Sequence, residues 1–238
     1  MADLTARERI ILAIDTSEPE EARRLARVAA DAGARFVKLG LELSSATSWD
    51  FCSGLAQEHG LDWVADAKLD DIPNTVEKAT ANLIRRELPP FGITMHASAG
   101  LEAMQAAQIT AGETKILGVT VLTSITDDEC NRIFGKPRLP KVRDLANDAA
   151  LAGIAGLVCS PKEVGMISSG DDTAELFTMI PGARSVGADH HDQANVDTPF
   201  ATIRNGADLL VIGRQITAAL NPTAAFEQVV EEIEGAMK

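Results

Sequence analysis

The chain has 238 residues, of which 45% are apolar and only 4% aromatic, so aliphatic side chains must fill its core. Its formal net charge of -13 argues against a nucleic-acid partner, because binding a phosphate backbone requires a basic surface. No apolar run approaches the length of a membrane span, and Met1–Arg9 has no signal-peptide core, so we expect no membrane partner and a cytoplasmic location.

The first part of the chain predicts buried strands that alternate with helices. The apolar segment Arg9–Asp15 is closed by an acid and is typical of a parallel strand buried on both faces. The spacing then predicts a helix over Glu20–Ala32 that ends at Gly33. A short second strand at Arg35–Lys38 precedes a predicted helix over Leu43–His59.

The same alternation continues to the end of the chain. Further strands are predicted at Leu61–Lys68, Phe91–His96, Ile116–Leu122, Ile154–Cys159, Glu175–Ile180 and Ala207–Ile212. Helices are predicted between them, including Val76–Leu88, Leu101–Ile109 and Val142–Leu151, with a polar insert before the last of these. Eight alternations without a linker predict a single (β/α)₈ barrel domain over residues 1–238, and a doubly wound open sheet is the structural alternative.

Polar and turn residues fall at, or just beyond, the carboxyl ends of the predicted strands. They are Asp15, Lys38, Asp66, Lys68, His96, Thr123, Ser160, Pro181 and Gly213. In a closed barrel these ends converge on one face, where barrel enzymes have their active sites. Each residue alone would be unremarkable, but together they predict a site.

The third predicted strand ends in four charges within six residues. Side chains two apart on a strand share a face, so Asp66 and Lys68 should point the same way. Charges at the end of a buried strand are costly unless they are paired. The alternative to a functional site is a strand-end salt bridge followed by a helix that starts at Asn74 or Thr75.

The run from Asp66 to Thr75 reads Asp-Ala-Lys-Leu-Asp-Asp-Ile-Pro-Asn-Thr. It resembles the orotidine 5'-monophosphate decarboxylase family, whose signature after the third barrel strand is Asp-x-Lys-x-x-Asp-Ile-Pro-Asn-Thr. Further segments resemble the family at the other strand ends, with Ala99 and Ala183 as departures. These segments are Lys38–Leu43, Met95–Gly100, Val119–Ser124, Pro181–Arg184, Asp192-Gln193 and Leu210–Arg214.

The resemblance implies a (β/α)₈ barrel that converts orotidine 5'-monophosphate to uridine 5'-monophosphate and CO₂, without metal or organic cofactor. The implied catalytic residues are Lys38, Asp66, Lys68 and Asp71. The implied substrate-binding residues are Asp15, Thr75, Thr123, Ser160, Pro181, Arg184, Gln193, Gly213 and Arg214. It also implies a homodimer in which Asp71 and Thr75 reach the partner's site, whereas we expect His96 to be buried and hydrogen-bonded behind the site.

The last two strand ends predict a phosphate site. A glycine at a strand end, Gly213, lets backbone N–H groups face an anion, and Arg214 adds a forked donor. The long loop from Pro181 to Asp197 contains few apolar residues and is typical of a lid. Loops after strands seven and eight form the usual phosphate site of this barrel.

Two other functions stay open. A sugar-phosphate branch of the same superfamily shares Asp-x-Lys-x-x-Asp and uses magnesium, but its motif continues Asp-Ala-Gly instead of Asp-Ile-Pro-Asn-Thr. A non-enzymatic barrel that only binds nucleotides is the third hypothesis. The three cysteines lie far apart and the four histidines lack zinc-like spacing, so we expect reduced structural thiols and no metal site.

Overall fold

The computed structural model describes residues 4–187 and 197–238. Eight parallel strands follow one another in chain order, and β8 pairs with β1, so the sheet closes into a barrel. The predicted (β/α)₈ fold is therefore confirmed. The strands are β1 (Ile10–Ile14), β2 (Phe36–Gly40), β3 (Asp62–Leu69), β4 (Gly92–His96), β5 (Lys115–Val119), β6 (Gly156–Val158), β7 (Phe177–Pro181) and β8 (Leu209–Ile212).

Helices connect the strands on the outside of the barrel. They are α1 (Pro19–Asp31), α2 (Leu41–Ala46), α3 (Trp49–Glu58), α4 (Pro73–Ile84), α5 (Leu101–Ala111), α6 (Asp127–Phe134), α7 (Arg138–Ala152), α8 (Val164–Ser168), α9 (Pro199–Arg204), α10 (Arg214–Thr217) and α11 (Pro222–Met237). Short 3₁₀ turns at Arg7–Arg9 and Ala97–Ala99 precede β1 and α5.

The predicted helix over Leu43–His59 is wrong as a single element, because it divides into α2 and α3. The hydroxyl of Thr47 donates to the Leu43 carbonyl at 2.6 Å, and Ser48 takes an extended conformation. The Ser48 hydroxyl then accepts a hydrogen bond from the Phe51 amide and caps α3. Hydroxyl side chains that bond to the backbone compete with helix continuation at this point.

The fifth strand is shorter than predicted, and the polar insert after it contains a helix. β5 ends at Val119, and Thr120 instead directs both its amide and its hydroxyl to the Val158 carbonyl. Helix α6 then begins with a capping box in which Thr126 and Glu129 bond each other's backbone amides. The Thr-x-x-Glu spacing is the sequence signal for this helix start.

The barrel interior is closed at its amino-terminal end and open at its carboxyl-terminal end. Three phenylalanines pack at the starts of β2, β4 and β7. The Phe91 ring lies 4.7 Å from the Phe36 ring and 6.2 Å from the Phe177 ring, measured between centroids. Further along the strands the inward-facing apolar residues are smaller, such as Ala13 and Val211. These smaller side chains leave space at the carboxyl ends of the strands, above the phenylalanine rings.

Candidate active site

An open cleft with a volume of about 530 Å³ occupies the carboxyl-terminal face of the barrel. Its floor includes the apolar side chains of Ala13, Met179 and Val211. Most of the predicted site residues converge on it. Those that line the cleft are Asp15, Lys38, Asp66, Lys68, Thr123, Pro181, Arg184, Gly213 and Arg214.

Four charged side chains form a row along one wall of the cleft, and we call Asp15, Lys38, Asp66 and Lys68 the charge row. Lys38 Nζ lies 2.8 Å from Asp15 Oδ1 and 3.0 Å from Asp66 Oδ2. Lys68 Nζ lies 2.7 Å from the same Asp66 Oδ2. One carboxylate oxygen therefore serves two ammonium groups, and the row alternates in sign.

The pKa values of the charge row reflect burial opposed by these neighbours. Burial alone would lower the pKa of Lys38, but the Asp66 and Asp15 carboxylates outweigh it and raise this pKa to about 12. Burial likewise disfavours the Asp66 carboxylate, yet the Lys38 and Lys68 ammonium groups lower the Asp66 pKa below its ordinary value. Both side chains are thus charged near neutral pH.

Asp71 and Thr75, two predicted site residues, lie away from the cleft of their own chain. Both are exposed, and Asp71 Oδ1 accepts only the adjacent Ile72 amide, at 2.7 Å, among the hydrogen bonds of the described chain. Asp71 does not cap α4, whose N-cap is Ile72 without a side-chain hydrogen bond. Ile72, which follows Asp71 in the chain, is also exposed, by 65%. This end of β3 therefore presents charge and apolar surface outwards.

Ser160, Gln193 and His96 are the remaining residues that the sequence analysis singles out. Ser160 does not line the cleft but is fully buried; its amide donates to Glu163 Oε2 at 2.8 Å, and its hydroxyl has no partner among the described residues. Gln193 lies outside the described residues. His96 is half-buried, and burial, with Lys68 nearby, lowers its pKa despite the opposing Asp70 and Asp66.

Sequence reasoning missed Thr94, which lies on β4 directly behind the charge row. The Thr94 hydroxyl donates to Asp66 Oδ1 at 2.9 Å and accepts the Lys68 amide at 3.0 Å. The available signal was a hydroxyl residue in an otherwise apolar strand beside the Asp-x-Lys motif. A buried hydroxyl needs a partner, and the neighbouring strand end offers a charged one.

A second missed feature is a buried ion pair between Arg138 on α7 and Glu163 just before α8. Arg138 Nε lies 2.5 Å from Glu163 Oε1, and both residues are buried. The remaining guanidinium nitrogens donate to backbone carbonyls of the loop after β5, at Val121, Leu122 and Ile125. The pair thus anchors the loop that carries Thr123. No local sequence pattern predicts this ion pair.

The closed barrel, its open carboxyl-terminal cleft and the alternating charges inside it define a barrel enzyme. Comparison with known proteins identifies its family. The profile of the Orotidine 5'-phosphate decarboxylase / HUMPS family matches residues 8–229. The chain belongs to this family.

Individual relatives agree with the family match over nearly their whole length. A protein of Carboxydothermus hydrogenoformans named orotidine 5'-phosphate decarboxylase is 37% identical, across 97% of this chain and 98% of its own. One of the same name from Thermosynechococcus vestitus is 38% identical, across 94% and 95%. The crystal structure of orotidine 5'-phosphate decarboxylase from Lactobacillus acidophilus superposes with a TM-score of 0.80 at 30% identity, across 95% and 99%.

Residues 4–187 and 197–238 contain neither a cluster of metal ligands nor a helix that could span a membrane. Within these ranges no group of three or more His, Cys, Asp or Glu side chains is arranged to hold a metal ion. None of the helices described there is long and apolar enough to cross a membrane.

Proposed function

We propose that this chain decarboxylates orotidine 5'-monophosphate to uridine 5'-monophosphate and CO₂. The observation that carries the proposal is the charge row, in which Asp66 Oδ2 is shared by Lys38 and Lys68 at the wall of an open cleft. The family match and the names of the relatives support the same reaction.

The chemistry requires a cation beside carbon 6 of the pyrimidine ring. Loss of CO₂ leaves an electron pair on this carbon that the ring delocalises poorly, so a fixed positive charge must stabilise it. The Lys68 side chain is about one-third exposed to the cleft while Asp66 holds its ammonium group. Lys68 would stabilise the carbanion and then donate a proton to carbon 6 as general acid.

Asp66 would hold the Lys68 ammonium group in place and would also lie near the departing carboxylate. Two negative charges 4 Å apart repel by about 4 kcal/mol at an effective dielectric constant of about 20. How much of this repulsion lowers the barrier depends on how much is relieved in the transition state. We therefore assign the larger part of the effect to carbanion stabilisation by Lys68.

The cleft lining after β7 and β8 would bind the phosphate, and the loop after β5 would contact the ring edge. Pro181, Gly182 and Arg184 after β7, and Gly213 and Arg214 after β8, line the cleft together. Backbone N–H groups and guanidinium donors suit a phosphate. Gln193 would join them from the loop after β7. Thr123 after β5 would contact a polar edge of the pyrimidine, and Asp15 would hold the ribose.

We further propose a homodimer in which Asp71 and Thr75 complete the partner's site. Both residues lie outside the cleft of their own barrel, and the exposed Ile72, between them in the sequence, supplies apolar surface for an interface. In a two-fold dimer the same surface contacts itself, so each Asp71 can approach the other subunit's charge row. Ser160, which follows the cleft-lining Cys159, would bind the substrate through its hydroxyl.

One ultraviolet assay of the purified protein separates the three candidate functions. Orotidine 5'-monophosphate is added with a chelator, and the loss of its absorbance is followed together with the formation of uridine 5'-monophosphate. Turnover that the chelator does not reduce is expected. No loss of absorbance together with no tight product binding would favour the metal-dependent sugar-phosphate branch, whose substrates have no pyrimidine ring. Tight product binding without turnover would indicate a binding protein.

A further inference from the structure

The β3–β4 ladder is interrupted at the charge row. Ala65 pairs with Ile93, but the next pair is Leu69 with Met95. The segment Asp66–Lys68 on β3 therefore faces the single residue Thr94 on β4. Bulges of this kind redirect side chains and leave backbone groups without their ladder partners.

Thr94 replaces the missing ladder contacts with its side chain. It is fully buried, and its hydroxyl accepts the Lys68 amide at 3.0 Å while donating to Asp66 Oδ1 at 2.9 Å. Because Asp66 Oδ1 is occupied in this way, Oδ2 is the oxygen directed at both lysine ammonium groups. One hydroxyl thus connects the carboxylate of the charge row to the backbone of its reactive lysine.

The backbone of Lys68 needs this support. Its φ is +46°, and it is the only non-glycine residue with a positive φ among the residues that the structure describes. This conformation is unfavourable for a long side chain and persists only where surrounding contacts hold it. The accepted hydrogen bond from the Lys68 amide is such a contact, and it fixes the direction in which the Lys68 side chain enters the cleft.

We infer that Thr94 is a positioning residue for the reaction: its hydroxyl sets the Asp66 rotamer and the left-handed backbone of Lys68, and so places the Lys68 ammonium group. The inference rests on the proposed decarboxylase function. Thr94 does not line the cleft, so its effect should appear in the chemical step and not in nucleotide binding.

The test compares Thr94→Val with Thr94→Ser. Valine matches the shape of threonine without its hydroxyl, whereas serine keeps the hydroxyl. Hydrogen bonds to charged groups are strong enough that kcat of Thr94→Val should fall roughly 10- to 100-fold. Its KM should change less than about threefold, and Thr94→Ser should retain kcat within about threefold of the wild type.

Thr80→Val is the matched control. Thr80 is also fully buried, but its hydroxyl has no hydrogen-bond partner among the described residues and lies on α4. The same substitution there should leave kcat and KM unchanged. If Thr94→Val does not fold, Thr94→Ala removes the same hydroxyl and is judged by the same criteria.

The outcomes separate the inference from the proposed function. Wild-type protein without decarboxylase activity would refute the proposed function before any variant is considered. Active wild type with unchanged kcat in folded Thr94→Val would overturn the positioning role. Loss of kcat in Thr94→Ser as large as in Thr94→Val would also overturn it, since the hydroxyl would then not be the group that matters.

Discussion

Two ionic clusters in this barrel differ in how completely their charged groups are paired. In the Arg138–Glu163 pair the guanidinium forms an ion pair with one carboxylate, and the other guanidinium nitrogens donate hydrogen bonds to backbone carbonyls. In the charge row two ammonium groups share one Asp66 oxygen, and Lys68 remains partly open to the cleft. The first cluster is complete within the chain, whereas in the second Lys68 pairs with a single carboxylate oxygen and faces the cleft, where it can meet a further anion.

This difference separates charges that hold the fold from charges that can act on a substrate. A paired and fully hydrogen-bonded buried ion has no capacity left for a ligand, and removing its partner mainly destabilises the fold. A cation that faces a cleft beside a shared carboxylate can respond to charge that develops in a substrate. On this account Asp71 of a partner subunit would supply the next anion of the charge row.

The largest expected effect is on turnover by Lys68→Ala. The substitution deletes both the cation and the proton donor, so kcat should fall by at least about four orders of magnitude. The affinity for uridine 5'-monophosphate and the free energy of unfolding should change little. Steady-state kinetics, product titration and urea unfolding measure the three quantities.

The matched control for this variant is Lys136→Ala. Lys136 makes a 2.6 Å ion pair with Asp144, but both side chains are substantially exposed. Its removal should leave kcat unchanged, because this exposed pair does not line the cleft. A Lys68→Ala protein with more than a small fraction of wild-type kcat would refute the role given to Lys68.

The next effect in size concerns phosphate binding by Arg214. Arg214→Ala should lower kcat/KM for the nucleotide roughly 10²- to 10³-fold, but should barely affect a nucleoside that lacks the phosphate. Binding energy from a remote group is available only when that group is present. Steady-state kinetics on both substrates measure this difference. Equal losses of kcat/KM on the two substrates would show that Arg214 acts at the ring instead of the phosphate. Gln193→Ala should follow the same pattern.

A smaller effect on activity and a large one on stability are expected for Glu163→Gln. It leaves the buried Arg138 guanidinium without its counter-charge and should lower the free energy of unfolding by about 3 kcal/mol. Asp144→Asn, at an exposed pair, should cost less than about 1 kcal/mol. Urea unfolding measures both. If Glu163→Gln were as stable as the wild type but lacked turnover, the scaffold role of this pair would be disproved.

The smallest effect is a pH dependence of stability that belongs to Asp66. Its pKa in the folded protein is lowered from about 3.9 in an unfolded chain, so its contribution is fully present above that value. It is lost as the pH falls through the folded pKa. The stability difference between wild type and Asp66→Asn should therefore be constant from about pH 5 to 7 and should narrow towards pH 3. A difference that widens on acidification would contradict the lowered pKa.

The sequence predicted the barrel because apolar runs and helical spacing repeat locally. The convergence of Lys38, Asp66 and Lys68 followed from barrel geometry, since strand ends meet on one face. Thr94 and the Arg138–Glu163 pair could not be predicted in this way, because each depends on tertiary contacts between distant segments. Ser160 illustrates another limit: it is fully buried, and a position at a strand end does not by itself reveal burial.

The most direct test of an incomplete charge row is a hybrid dimer. Lys68→Ala and Asp71→Ala homodimers should each be nearly inactive. When the two proteins are unfolded together and refolded, a mixed dimer has one site with both defects and one site with neither. Random pairing makes half of the dimers mixed, so roughly a quarter of all sites should regain wild-type activity. If verified mixed dimers restore no activity, Asp71 serves its own subunit and the shared site is refuted.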